Sequence, residues 1–398
     1  VVALAPPASI AARLDAPVRC DQGLYMGFTN IIESLVACVI YAVAAKRNHI
    51  EYPSRFQHES FLTLFDGDRL RRQVLHVYGV HVSFLDRAVP VVTPTSWHYD
   101  NPPRRVKDVA AFVRSLSARP GRRLYIGDVW KLQLILASET QQMSWFEKQI
   151  FAPRGQLQLM SETLVNKMRN ASRASHVKQR LQGQWVALHL RLEDDRAGHG
   201  RSAANASGDT LQTIRRRLSS HFRGSEVPVY YASGPLAPNV SQRIPTDWIN
   251  KDALFDAAYW ASPWKGTWFD GRDYNITNAT GSLVDMFVLV EAPLTLLADF
   301  SSFGEFVAAL RCAKRQRTWM YNAAGDIFPV DCTFPILFMR EWQRRRRNHK
   351  CGTFESNFLS RSCSEMLLSV DQHWKQIVKL QAMIEDHAAS LKKRTPTF

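Results

Sequence analysis

No run of about eighteen uncharged apolar residues occurs in the chain, so the sequence offers no candidate membrane span. The most apolar stretch, Ile31 to Ala45, contains Glu33 and is closed by Lys46 and Arg47, which fits a buried helix better than a bilayer helix. CxxC pairs are missing among the six cysteines, and with them the usual zinc spacings. His49, His58, His76, His81 and His98 form no HxH or HExxH pattern, so surface or packing roles are expected of them. There is no helix-turn-helix spacing, finger motif or RNP-like aromatic pattern, and specific nucleic-acid recognition has no carrier. Internal repeats and low-complexity tracts are absent as well. Val1 to Ala16 lacks a basic region ahead of an apolar one. The expectation is a truncated or processed N-terminus, with any signal or anchor outside this sequence.

What is present describes an ordinary folded protein. At 398 residues the length favours two domains plus trimmings. Hydrophobic content of 45% and a mean hydropathy of -0.24 exclude a disordered chain. The net charge of +15 and pI near 9.7 fit nucleic acid, an anionic membrane surface or acidic small substrates as partners. Much of that excess sits in the clusters Arg69-Arg71-Arg72, Arg215-Arg216-Arg217 and Arg344 to Arg347 with Lys350, which read first as solvated helix faces. Four of the six cysteines (Cys312, Cys332, Cys351 and Cys363) fall in the last quarter, where bridges would staple the C-terminal segment; Cys20 and Cys38 lie near the start. N-x-S/T sequons occur at Asn170, Asn205, Asn239, Asn275 and Asn278. Cysteines and sequons together tilt towards the secretory lumen.

Alternating patterns run through both halves. Ile31 to Ala45 reads as a helix, His49 to Tyr52 with Pro53 as a strand, and Phe61 to Val74 as helical spacing around the turn Asp66-Gly67-Asp68. Val89 to Thr93 reads as a strand, Pro94 to Pro103 as a proline-rich loop, and Val106 to Leu116, Lys131 to Trp145 and Gln156 to Asn170 as helices. A second alternating unit begins at the strand Trp185 to Leu190, followed by helix Thr210 to His221, strand Val227 to Ala232, helix Ser282 to Glu291, strand Thr295 to Ala298 and helix Ser302 to Ala313. Beyond about residue 335 the chain turns basic and helical, ending in an amphipathic helix near Met366 to Lys392. This alternation predicts two α/β domains with parallel sheets, spanning 1–178 and 179–332, and a helical extension over 333–398.

The chemistry concentrates at strand ends. His189-Leu190-Arg191 closes a strand and leads into Glu193-Asp194-Asp195. Ligands of open α/β sheets gather at the carboxyl ends of strands, and an arginine there presents a planar fork suited to phosphate oxygens. A guanidinium so placed would stabilise a departing diphosphate without a metal. The plainer reading is an ion network between Arg191 and the adjacent acids. Asp299-Phe300-Ser301-Ser302-Phe303-Gly304 lies between a strand and a helix, where hydroxyls and N–H groups make an anion site. There the plainer reading is that Ser301 or Ser302 caps the helix. At Tyr231-Ala232-Ser233-Gly234, small residues at a third strand end would admit a nucleotide.

In order and spacing these segments resemble the O-fucosyltransferase-like superfamily of protein O-fucosyltransferases and related plant fucosyl- and rhamnosyltransferases. The likeness runs over roughly residues 20 to 315, from Gly27-Phe28-Thr29-Asn30 with its following helix and strand, through Phe61 to Asp66 and His189 to Asp194, to Tyr231-Ala232-Ser233-Gly234, Asp285 and Ala298 to Phe303. It implies a GT-B fold of two facing Rossmann-like domains, and an inverting, metal-independent transferase usually fed by GDP-fucose, with no cofactor. By the same resemblance Arg191 contacts the donor diphosphate and His189 the nucleotide or ribose. Ser301, Ser302 and Phe303 line the phosphate and sugar subsite, with Asp299 and Ser233 alongside and Asp285 near the base. Gly27 and Asn30 would lie on an N-terminal loop facing donor and acceptor. Two departures are visible: Ile31 and Ile32 follow Asn30, and Met26 stands where some members carry a catalytic glutamate. Glu33, Glu193 and Asp194 are then the candidate general bases, unless the leaving phosphate takes the proton.

The expected function is transfer of fucose from a nucleotide-sugar donor to a hydroxyl of a protein or glycan acceptor, in the Golgi or endoplasmic reticulum lumen. Three other readings stay open: the same fold with a donor such as UDP-rhamnose, a catalytically inactive glycan- or polyanion-binding module, and a metal-dependent GT-A transferase using Asp66 and Asp68 as a DxD pair.

Overall fold

The computed structural model describes residues 16–20, 28–56, 59–85, 97–99, 123–126, 144–146, 148–153, 155–174, 184–191, 203–222, 227–234, 236, 241–253, 261–267, 273–277, 279–299, 301–321, 327–330, 332, 375, 379 and 382–394. Contacts divide the chain into two compact units, Val1–Ala152 with Glu341–Phe398, and Pro153–Arg340.

The first unit opens with strand β1 (Val18–Cys20), helix α1 (Phe28–Ala44) and strand β2 (His49–Pro53). Ile31, Ile32, Leu35, Val36, Val39, Ile40 and Val43 of α1 are all buried, as a helix apolar on every side requires. The disulfide Cys20–Cys38 joins β1 to α1. A short antiparallel pair, β3 (Arg55–Phe56) and β4 (Glu59–Ser60), precedes α2 (Phe61–Leu64) and α3 (Gly67–Tyr78). Asp66 is the N-cap of α3: its side chain accepts from the Arg69 N–H at 2.9 Å. Gly79 ends α3 at φ 68, and a side chain there would also strike the backbone of Leu391 and Lys392. The C-terminal helical residues 382–394 thus return to this unit, where an extension was expected.

Strands β5 (His81–Leu85), β6 (Trp97–Tyr99) and β7 (Leu124–Ile126) complete a sheet of order β5-β2-β1-β7-β6, parallel throughout. β6 corrects the loop expected over Pro94 to Pro103. A three-residue segment has too little length to show a period, and only its pairing with β7 makes it a strand. The expected strand at Val89 to Thr93 and helix at Val106 to Leu116 lie outside the described residues, as does most of Lys131 to Trp145.

The second unit begins with α4 (Gly155–Ala174), then β8 (Val186–Leu190), α5 (Ala203–His221) and β9 (Val229–Ser233). A hairpin of β10 (Ala261–Thr267) and β11 (Asp273–Thr277) leads to α6 (Ala279–Glu291), β12 (Leu294–Ala298), α7 (Ser302–Ala313), β13 (Thr318–Tyr321) and β14 (Ile327–Pro329). α4, which the sequence pattern assigned to the first domain, packs on α6 in the second unit. The sheet order is β14-β13-β12-β8-β9, with only β14 antiparallel. β8 lies between two neighbours and every one of its residues is buried, which explains its continuous apolar run.

A buried arginine closes α6. Arg311 of α7 donates through Nη1 to the carbonyls of Leu289, Val290 and Ala292 at 2.9, 2.9 and 2.7 Å, and through Nε to Thr318 Oγ1 at 2.9 Å. A cation at the carboxyl end of a helix satisfies carbonyls that have no intrahelical donor. Burial lowers the Arg311 pKa to about 10, against the pull of Glu291. A second disulfide, Cys312–Cys332, ties the end of α7 to the residues past β14. Each bridge closes a loop of about twenty residues, which stabilises the fold by about 3 kcal/mol through chain entropy.

Candidate active site

The carboxyl ends of β8, β9, β12 and β13 are level with one another. Leu190 pairs with Ser233, Leu188 with Leu296, and Ala298 with Tyr321. These ends carry most of the residues singled out in the sequence: His189 among the last paired residues of β8 and Arg191 just past it, Ser233 at the end of β9, and Asp299, Ser301, Ser302 and Phe303 after β12. Register alone brings them to one edge of one sheet, where open α/β sheets bind ligands.

His189 is the one polar residue of β8 and is 5% exposed. Its ring lies against the ring of Phe303, with centroids 4.9 Å apart. Its Nδ1 is buried without a hydrogen-bond partner. Burial, followed by the nearby Arg191 charge, lowers its pKa to about 3, so at neutral pH the imidazole is uncharged. Arg191 supplies the positive charge at this strand end and His189 a neutral hydrogen-bonding group.

α7 starts directly above His189. Ser301 holds the N-cap position in extended geometry (φ -123, ψ 124), and its carbonyl accepts the Glu305 N–H at 2.9 Å. Its hydroxyl makes no capping bond, which separates Ser301 from the ordinary cap it resembled in sequence. Ser301 and Asp299 are buried, whereas Ser302 and Phe303 are half-buried. The close approach depends on Gly304. A Cβ there would lie 2.5 Å from the Ala298 carbonyl oxygen and 3.3 Å from His189 Nδ1. The N–H groups of this first turn and the positive end of the helix dipole therefore sit beside a neutral histidine and a cationic arginine. Helix N-terminal N–H groups beside a cation are a general arrangement for binding anions.

Asp285, expected near a nucleotide base, is placed in mid-α6 with both oxygens engaged. Tyr230 Oη donates to Oδ1 at 2.5 Å and Lys251 Nζ to Oδ2 at 2.8 Å, all three residues being buried. Burial works against the Lys251 ammonium, but the Asp285 carboxylate beside it holds its pKa above the ordinary value. Asn30 falls in the first turn of α1 where a loop was expected, because the helix starts at Phe28. Glu33 is half-buried one turn further on. Gly27, Glu193 and Asp194 lie outside the described residues. Asp66 caps α3 and Asp68 pairs with Arg71 at 2.7 Å, so the Asp-Gly-Asp turn has local work to do. Among the described residues no group of three or more His, Cys, Asp or Glu could hold a metal ion, and no helix is long and apolar enough to cross a membrane.

Sequence reasoning missed Tyr321, Lys251 and Tyr230, and did not count Gly304 among the site residues. Gly304 had a signal, following Phe303 at a strand-to-helix turn. The others had none, since each depends on a partner far along the chain.

No protein-family model and no curated protein matches the chain. Solved structures similar to it include a point mutant of Arabidopsis thaliana FUT1 in complex with GDP, 13% identical, covering 78% of this chain and 70% of that one at a TM-score of 0.41. The apo form of POFUT1 is 13% identical over 77% of this chain and 98% of that one, at 0.38. POFUT1 in complex with GDP-fucose is 14% identical over 75% and 94%, at 0.32.

Proposed function

We propose that this chain is an inverting, metal-independent glycosyltransferase that moves fucose from GDP-fucose to a hydroxyl of a protein or glycan acceptor. The observation that carries this reading is the proximity, at the end of β8, of Arg191, neutral His189 and the Ser301–Gly304 turn, which we read as an anion subsite. The order of motifs along the chain supports the choice of donor. In the reaction the acceptor oxygen attacks the anomeric carbon while the bond from that carbon to the β-phosphate oxygen breaks. The bonding pair leaves with GDP. Negative charge grows on the diphosphate, and Arg191 with the first-turn N–H groups of α7 stabilises it as it forms. His189 binds the nucleotide portion through a single uncharged hydrogen bond, and Asp299, Ser233, Ser302 and Phe303 shape the subsite. Glu193, Asp194 or Glu33 takes the acceptor proton, unless the departing phosphate does. Asp285, held by Lys251 and Tyr230, is assigned a place near the base. The two disulfides and the sequons support a lumenal site of action in the Golgi or endoplasmic reticulum.

A hydrolysis and transfer screen over GDP- and UDP-sugars, with and without EDTA, tests the reading. Turnover of GDP-fucose should survive EDTA and fall by about 100- to 1000-fold in Arg191→Ala. Loss of turnover in EDTA would overturn the metal-free mechanism, and unchanged turnover in the variant would overturn the role of Arg191. Preference for UDP-rhamnose would move the donor, and saturable glycan binding without turnover would favour a binding module.

A further inference from the structure

The backbone at the end of β8 is held from an unexpected quarter. β8 neighbours β12 and β9, and β13 lies one strand beyond β12. The last paired residues of β8 and β12 are Leu188 and Leu296, so the chain carrying His189 and Arg191 runs past the end of that ladder. There the Tyr321 hydroxyl, reaching from the end of β13, donates to the His189 carbonyl at 2.9 Å and accepts from the Arg191 N–H at 3.0 Å. One oxygen thus serves both polar groups flanking Leu190. The Tyr321 carbonyl in turn accepts the Asp299 N–H at 2.9 Å, where β12 turns towards α7. The tyrosine is fully buried and packed in the core of the second unit.

We propose that Tyr321 is a positioning residue that sets the two halves of the anion subsite against each other. Its hydroxyl fixes the departure of the Arg191 segment and its carbonyl fixes the departure of the Asp299–Phe303 segment. This deepens the glycosyltransferase reading and rests on it for its consequences, although the clamp itself is a property of the fold. A guanidinium that stabilises a transition state must be held within a fraction of an ångström, and past Leu188 the sheet holds the end of β8 from the β9 side alone. Ring packing alone would not supply this. The hydroxyl makes Tyr, and not Phe, the residue the site requires.

Tyr321→Phe removes one oxygen and keeps the ring. Two measurements on the full chain decide the proposal. Amide exchange of Arg191 should rise about tenfold or more relative to the amides of Leu188 and Ala187, as expected for a backbone bond deprived of its buried partner. Unchanged exchange at Arg191 overturns the clamp, whether or not the protein is an enzyme. In a double-mutant cycle on GDP-fucose turnover, Tyr321→Phe should lower kcat about tenfold with little change in donor KM, and should cost almost nothing further in an Arg191→Ala background. Equal losses in both backgrounds would mean that Tyr321 does not act through Arg191, and would overturn the positioning role. Raised exchange in a protein that turns over no donor would keep the clamp and sink the function reading instead.

Discussion

The two units place their polar side chains in opposite ways. In the first sheet they sit in mid-strand. Arg19 of β1 pairs in register with Glu51 of β2, which pairs with Ser83 of β5. Arg19 Nε lies 3.8 Å and Arg123 Nη2 3.5 Å from the Glu51 carboxylate, while His49 Nε2 is 2.9 Å from Ser83 Oγ. In the second sheet strands β8, β9, β12 and β13 carry no charged residue, and the charged groups are displaced past the strand ends or sunk between a strand and a helix. The Arg123–Glu51 pair is 38% and 16% exposed, whereas the Lys251–Asp285 pair is 7% and 6% exposed. Two ion pairs of similar chemistry therefore differ in what their loss would do. Water can replace a partner in the first sheet but cannot reach the second.

The sharpest way to break this contrast is Lys251→Met. It leaves the Asp285 carboxylate buried with Tyr230 alone, and should destabilise the second unit by about 3–5 kcal/mol in urea unfolding. Adding Asp285→Leu should recover most of that, and a single-variant cost below about 1 kcal/mol would show the triad to be effectively solvated. Arg311→Met comes next. Several carbonyls at the end of α6 would lose their donor at about 1 kcal/mol each, for a total near 3 kcal/mol, seen as a lower urea midpoint.

Acid provides a finer probe. The folded-state pKa of His189 lies below its unfolded value of 6.5, at about 3, so the unfolded chain binds more protons between those limits. Its contribution is fully present above pH 6.5 and is lost as pH falls from there towards 3, by up to about 1.4 kcal/mol per pH unit. Urea midpoints at pH 7, 6 and 5 should fall less steeply in His189→Asn than in the parent. Equal slopes would mean that the histidine is charged in the fold. His49 and His81 of the first sheet are also lowered by burial, and their half-buried rings should contribute a weaker limb of the same sign. The smallest effect belongs to Arg123→Ala, below about 1 kcal/mol and smaller still in high salt. A larger loss would place the first-sheet row in the same class as the buried triad.

Elements that carry their own period were legible before the fold was known. α1 has apolar residues all round, β8 is an apolar run broken by His189 alone and followed by Arg191, and α7 spans Ser302–Ala313, the same bounds the pattern suggested. β6 was not legible, because three residues between prolines become a strand only through β7. Nor was the allegiance of α4 or of residues 382–394, since helical period says nothing about which sheet a helix covers. Within the candidate site, His189, Arg191 and the Ser301–Phe303 turn could be named from strand-end chemistry alone. Asp285 could be named but not understood, because its partners Tyr230 and Lys251 lie 55 and 34 residues away.

The chain by itself determined which residues stand at strand ends, because an apolar run stopped by an arginine, or by an Asp-Phe-Ser-Ser turn, declares where a buried strand leaves the core. Only the tertiary structure decided which of these ends meet, and at what distance. Parallel register placed Leu190 level with Ser233, the absence of a side chain at Gly304 let α7 descend onto His189, and a hydroxyl 130 residues along the chain came to hold the Arg191 backbone. Local patterns record burial, which each residue registers on its own. Contact between distant strands is a property of pairs, and no single stretch of sequence contains it.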